Sequence, residues 1–216
     1  VGFQMALTPL VYKHYQEPET PQQLATIFRT FLAIVIVIFL ILSLFADVAL
    51  WILTTPAYYA ASQVVVFLVP AILLSQMYIF APGIGIAKKT HLFVWINIGG
   101  AILNVFFNWM LIPQVGYVGA GIATLIGYAC VFGAHMYCSQ KLYYVPHNWG
   151  AIAGVVLTAA ALVTIGLHIH LGLYIDLLIR GCLILLMAGA FLFFGIVNKE
   201  EMVHIRDFLP ARWYQR

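Results

Sequence analysis

Three asparagines carry the clearest chemical signal in this 216-residue chain. Asn97, Asn104 and Asn108, with Ala101 among them, recur at steps of three and four, so they share one helical face. Their surroundings are apolar. Amides facing lipid are costly, so that face must meet protein or a water-filled cavity. The amides serve there either as interhelical hydrogen-bonding groups or as the lining for a polar substrate. The ionisable groups say less. All seven carboxylates (Glu17, Glu19, Asp47, Asp176, Glu200, Glu201, Asp207) fall at the ends of apolar stretches or outside them, so none is placed for a proton relay. His168 and His170 flank Ile169, and two histidines are incomplete as a zinc centre. His135 is expected to be interfacial or hydrogen-bonded. A phosphate-binding Gly-rich loop, a nucleophile elbow and a paired-carboxylate cluster are all missing, so no catalytic residue, metal or cofactor is assigned.

The elements that must hold these residues follow from composition. Hydrophobic residues make up 64% of the chain and charged ones 8%. A soluble domain carries about 25% charge. The chain therefore reads as all-α, a polytopic membrane bundle of six transmembrane helices. Crossing a bilayer takes about 20 apolar residues, and six stretches qualify: residues 30–53, 58–81, 92–112, 118–137, 149–167 and 174–197. Pro70 should kink the second. Alternating ten-residue segments of the kind a membrane barrel needs are not seen.

Nine of the ten Lys and Arg residues fall on one side of these spans. Lys13 and Arg29 precede the first, Lys88 and Lys89 separate the second and third, and Lys141 separates the fourth and fifth. Lys199, Arg206, Arg212 and Arg216 follow the sixth. Only Arg180 lies opposite, and it is expected to form an exposed pair with Asp176 four residues earlier. Cytoplasmic loops are enriched in cations, so both ends are expected to be cytoplasmic, as an even number of spans requires. Trp51, Tyr143, Tyr144, Trp149 and Tyr174 sit near the expected interfaces. The cations face one leaflet, which makes anionic membrane lipid their partner and argues against nucleic acid. Cys130, Cys138 and Cys182 read as small apolar residues.

The organisation is then residues 1–12 as the tail of a preceding helix, 13–29 as a cytoplasmic connection, 30–137 as four spans, 138–197 as two more and 198–216 as a cytoplasmic tail. The tail mixes Met202, Val203, Ile205, Phe208 and Leu209 with charge, as an interfacial helix does. The apolar opening residues suggest the C-terminal part of a longer protein.

The asparagine helix continues into Leu111-Ile112-Pro113, Gly116, Gly119-Ala120 and Ala123-Thr124. This stretch resembles the multidrug/oligosaccharidyl-lipid/polysaccharide exporter superfamily, specifically its polysaccharide transporter (O-antigen flippase) branch. Ala6-Leu7-Thr8-Pro9 resembles the end of that family's eighth helix, and Pro56-Ala57-Tyr58-Tyr59-Ala60-Ala61 the start of a helix after a periplasmic turn. The resemblance implies that the first four spans are the ninth to twelfth helices of a fourteen-helix exporter, in its second lobe, and that the last two are its extra pair. The Pro113 turn is then periplasmic, in agreement with the cation count.

The implied function is flipping of an undecaprenyl-pyrophosphate-linked oligosaccharide across the inner membrane for surface polysaccharide synthesis. Asn97, Asn104 and Asn108 would face the sugar, and Arg29, Lys88 and Lys89 the diphosphate. The first lobe of the same protein, a polysaccharide polymerase and export proteins would be its partners. A lipid II flippase and a multidrug or cation exporter share the fold, although the extra pair counts against the latter. A membrane sugar polymerase or ligase would need a large outer loop, and the stretch around residues 166–174 is too short for one. A non-transporting assembly subunit is the remaining alternative.

Overall fold

A computed structural model describes residues 2–169 and 171–196. Their regular structure is helical throughout, with no strand. The helices are α1 (Gly2–His14), α2 (Thr20–Leu44), α3 (Ala46–Leu53), α4 (Ser62–Gln76), α5 (Gly83–Ile86), α6 (His91–Val115), α7 (Tyr117–Leu142), α8 (Trp149–His168) and α9 (Leu173–Phe193), with 3-10 turns at Pro56–Ala61 and Met77–Phe80. Six stretches are long and apolar enough to cross a membrane: Thr20–Leu44, Pro56–Ile86, His91–Val115, Tyr117–Leu142, Trp149–His168 and Tyr174–Phe193. The chain is a multi-pass membrane protein. The expected tail helix at 198–216, the end of the sixth span at Val197, and His170 lie outside the described residues.

Several helix ends differ from those read from hydropathy. The first expected span is two helices. α2 starts at Thr20 and stops at Leu44, and α3 resumes after Phe45. Thr20 anchors the start by donating its hydroxyl to the His14 carbonyl at 2.7 Å, and Pro21 beside it suits a first turn, where no N–H partner is needed. Gln22, Gln23 and Arg29 are polar but helix-compatible, so the helix outruns its apolar part. Pro113 stays inside α6, because its fixed φ fits a helix. The reversal falls on Gly116 (φ 62°, ψ −140°), a left-handed position that glycine occupies at little cost.

α5 and α9 end alike. After α9, Gly195 N–H bonds the Leu192 carbonyl and Ile196 N–H the Phe191 carbonyl. After α5, Lys88 N–H bonds the Gly85 carbonyl and Lys89 N–H the Ile84 carbonyl. Both are Schellman closures, whose left-handed residue is usually glycine. Gly195 (φ 63°) conforms, whereas α5 places Lys88 (φ 56°) there.

The described residues form two compact units, 2–24 with 45–146 and 25–44 with 147–196. In the first, α7 packs against α4, α5 and α6. Its small residues explain how: Gly119, Gly121, Ala123 and Gly127 are all buried. A Cβ on Gly119 would stand 2.6 Å from the Leu111 carbonyl of α6, and one on Gly121 would stand 2.7 Å from a Val64 methyl of α4. Close backbone approach of this kind is how membrane helices gain packing energy without a hydrophobic driving force. In the second unit, α8 packs against α9. Val155, Ala159 and Val163, four residues apart, form its buried stripe. Gly166 lies against Leu44 and Leu183.

Candidate functional site

Two of the three asparagines, four residues apart on α6, bond to each other. Asn108 Nδ2 donates to the Asn104 backbone carbonyl at 2.9 Å and to Asn104 Oδ1 at 3.0 Å. Both side chains are partly buried. Asn104 lies over Gly127 of α7, where an added Cβ would approach its Cβ to 3.2 Å and its Nδ2 to 3.5 Å. Gly100, one turn earlier on α6, faces Val131. The pair therefore belongs to the packed face of the hairpin. It is also only half spent, because Asn104 keeps an amide donor and Asn108 an amide acceptor for a further partner. Asn97 is apart from them. It is exposed and bonds back to the Phe93 carbonyl at 2.7 Å.

The cations fall in both units. Lys88 and Lys89 are exposed in the turn between α5 and α6. Arg29 lies within α2, half-buried, and donates to Thr26 Oγ1 at 3.3 Å. Its neighbour His147 carries no signal in composition or spacing. This ring is 9% exposed and edge-on to Phe28 at 4.7 Å and Trp149 at 5.2 Å, and neither of its nitrogens has a hydrogen-bond partner. Burial, and secondarily the Arg29 charge, push its pKa down to about 4. His147 is thus neutral at neutral pH. Asn148 follows it as the N-cap of α8, accepting from Ala151 N–H at 3.1 Å. In the other unit, the Tyr143 hydroxyl donates to the Tyr15 carbonyl at 3.1 Å, and burial raises its pKa.

Two expectations about charged groups are corrected. Arg180 is 4% exposed, not part of an exposed pair. Asp176 instead accepts from the Leu171 N–H at 2.8 Å and closes the turn before α9. His135 is 1% exposed, with Nδ1 unpartnered, and lies between the rings of Tyr78 (5.7 Å) and Phe93 (5.1 Å). It is a core residue of the first unit. His168 Nδ1 pairs with the Thr164 carbonyl at 2.8 Å. Cys130, Cys138 and Cys182 are free thiols.

A cavity of about 230 Å³ opens beside His135, walled by Thr8, Tyr12, Tyr78, Pro82 and Phe93 among others. Tyr12 leans over α5 so closely that a Cβ on Gly85 would collide with its hydroxyl. Hydropathy carries no signal for this cavity, because its walls come from α1, the second 3-10 turn, the start of α5 and α6.

No family model matches the chain, and no solved structure matches it. Among curated proteins it is similar to the probable multidrug resistance protein NorM of Geobacillus kaustophilus (strain HTA426), with 34% identity over 80 residues. The match covers 34% of this chain and 17% of the length of that relative. The likeness supports the multidrug/oligosaccharidyl-lipid/polysaccharide exporter superfamily and stops short of any branch within it.

Proposed function

We propose that this chain is part of a flippase that moves an undecaprenyl-pyrophosphate-linked oligosaccharide across the bacterial inner membrane, with both ends of the segment cytoplasmic. The observation that supports it most is the half-spent amide pair of Asn104 and Asn108. Asn104 is the fourteenth residue of a 25-residue helix, about 20 Å along it and hence near the bilayer midplane. A sugar is rich in hydroxyls that both donate and accept. One free amide donor beside one free acceptor matches that chemistry, and pairing a polar group at this depth removes much of its desolvation cost. Lys88 and Lys89 are proposed for the diphosphate, as charge-assisted partners. Transport of this kind forms and breaks no covalent bond, so no enzymatic role, metal or cofactor is invoked. The remaining lobe of the same protein, a polysaccharide polymerase and export proteins are the proposed partners.

The experiment is a lipid-linked oligosaccharide flipping assay on the full-length protein with Asn104→Ala and Asn108→Ala combined. Transport should fall about tenfold or more, since two hydrogen bonds to substrate are lost. Undiminished transport would remove the amide pair from the site. A second reading, multidrug export, is favoured by the name of the Geobacillus relative. Efflux of a cationic dye from vesicles holding the full-length protein, with no flipping of lipid-linked sugar, would select it.

A further inference from the structure

The Tyr12–Tyr78–Phe93 cavity and the strained turn beside it share one place in the fold. Pro82 and Phe93 wall the cavity, and the chain between them contains Lys88 and Lys89. Lys13 directly follows the wall residue Tyr12. Lys13 therefore adjoins a wall residue in sequence, and Lys88 and Lys89 lie in the turn that joins two walls, just after the candidate span Pro56–Ile86. Lys88 is more than a topology marker. It holds the left-handed position of a Schellman closure, where Gly195 does the same work without strain. A non-glycine residue kept in such a conformation points from an outlier to a function for its side chain.

The cavity itself is preorganised. Tyr78 and Phe93 both pack on the buried His135 ring, which fixes their planes. Tyr12 is set by its fit over Gly85. The walls are mainly aromatic and aliphatic, with the hydroxyl-bearing Thr8, Tyr12 and Tyr78 as the polar members. A small hydrophilic anion gains nothing from such walls, and a plain hydrocarbon gains nothing from the lysines. An amphiphile with an apolar body and an anionic end uses both.

We propose that this cavity binds the phosphate end of a lipid. The first apolar units of the chain would pack among Tyr12, Tyr78 and Phe93, and the phosphate would be held by Lys88. In the flippase reading that lipid is the prenyl pyrophosphate of the substrate, and this identification rests on that reading. The site itself does not, since a glycerophospholipid presents the same chemistry.

The test is binding without transport, read by native mass spectrometry of the full-length protein released from nanodiscs. The probes are undecaprenyl pyrophosphate, phosphatidylglycerol and inorganic pyrophosphate. Lys88→Gly removes the cation while relieving the backbone, so it should fold. It should weaken lipid-phosphate binding about tenfold, as should Phe93→Ala, while Lys88→Arg keeps most of it. Loss confined to undecaprenyl pyrophosphate supports the site with the flippase substrate as occupant. Loss confined to phosphatidylglycerol supports the site and counts against that occupant. Unchanged lipid binding in both Lys88→Gly and Phe93→Ala overturns the proposal. So does inorganic pyrophosphate binding as tightly as the lipids, because the apolar walls then contribute nothing.

Discussion

His147 and Lys88 each sit where burial or backbone conformation works against them, and each makes a measurable prediction. The pKa of His147 is lowered to about 4 in the folded protein, against about 6.5 for a free imidazole. The unfolded chain therefore takes up this proton first as pH falls. The stability tied to the neutral ring is fully present above about pH 6.5 and is lost progressively towards pH 4. The full loss is about 3 kcal/mol by linkage. The detergent-solubilised protein should show a thermal midpoint that drops over this window, and in His147→Phe, which preserves the ring contacts with Phe28 and Trp149, the drop should be visibly shallower. Equal slopes in the two proteins would show that His147 does not govern the acid response. Lys88 makes a prediction of opposite sign. Its φ of 56° costs an L-residue roughly 1 kcal/mol, so Lys88→Gly should raise the thermal midpoint even as it weakens lipid binding. A gain in stability with a loss of binding is the signature of a residue retained for its side chain.

At the scale of elements, α7 shows how far a pattern of small residues can be trusted. Gly119, Ala123 and Gly127 stand four residues apart in the sequence, and all three are buried. Their spacing was legible because helical periodicity depends only on chain position. What each glycine faces was not legible, because that depends on partner helices. Gly119 abuts backbone that cannot yield, Gly127 abuts the Asn104 side chain with slight crowding, and Gly133 meets nothing within 4 Å. Alanine substitutions should therefore rank in that order. Gly119→Ala should lose about 1–3 kcal/mol, Gly127→Ala should lose less, and Gly133→Ala should be neutral or gain up to about 1 kcal/mol from helix propensity. Thermal midpoints in one detergent give the ranking, and a Gly133→Ala loss as large as that of Gly119→Ala would contradict it. Helix ends were the least legible. Hydropathy sees the part of a helix that prefers lipid, so it missed the polar first turns of α2 and ended the third span before Pro113, which α6 retains. The amide pair was legible as a face, but its internal bonding was not, since Asn97 shares the spacing and stands alone.

Across the whole molecule, the cation asymmetry and the helical connections make one joint claim about sides. The described helices place Lys88 and Lys89 after the span Pro56–Ile86, and Lys141 at the end of the span Tyr117–Leu142. The connections at Thr54 and Gly116 lie at the opposite ends of those same spans. Each successive span reverses direction if all six cross, so these two pairs of connections must open on opposite faces of the membrane. The bias of Lys and Arg assigns the lysine-bearing face to the cytoplasm. A cysteine-free background is needed first, because Cys130, Cys138 and Cys182 are free and the first and last are exposed. Single cysteines at Lys89, Lys141, Thr54 and Gln114 can then be labelled in intact cells with a membrane-impermeant maleimide. Thr54→Cys and Gln114→Cys should react from outside, whereas Lys89→Cys and Lys141→Cys should react only after the membrane is opened. Inversion of all four would keep the helices and reverse the orientation, placing the Lys88 turn on the outer leaflet and separating it from a substrate made inside. Labelling of Lys89→Cys and Gln114→Cys from one side would be more damaging, because α6 would then not cross the membrane and Asn104 would lose the midplane position on which its proposed role depends.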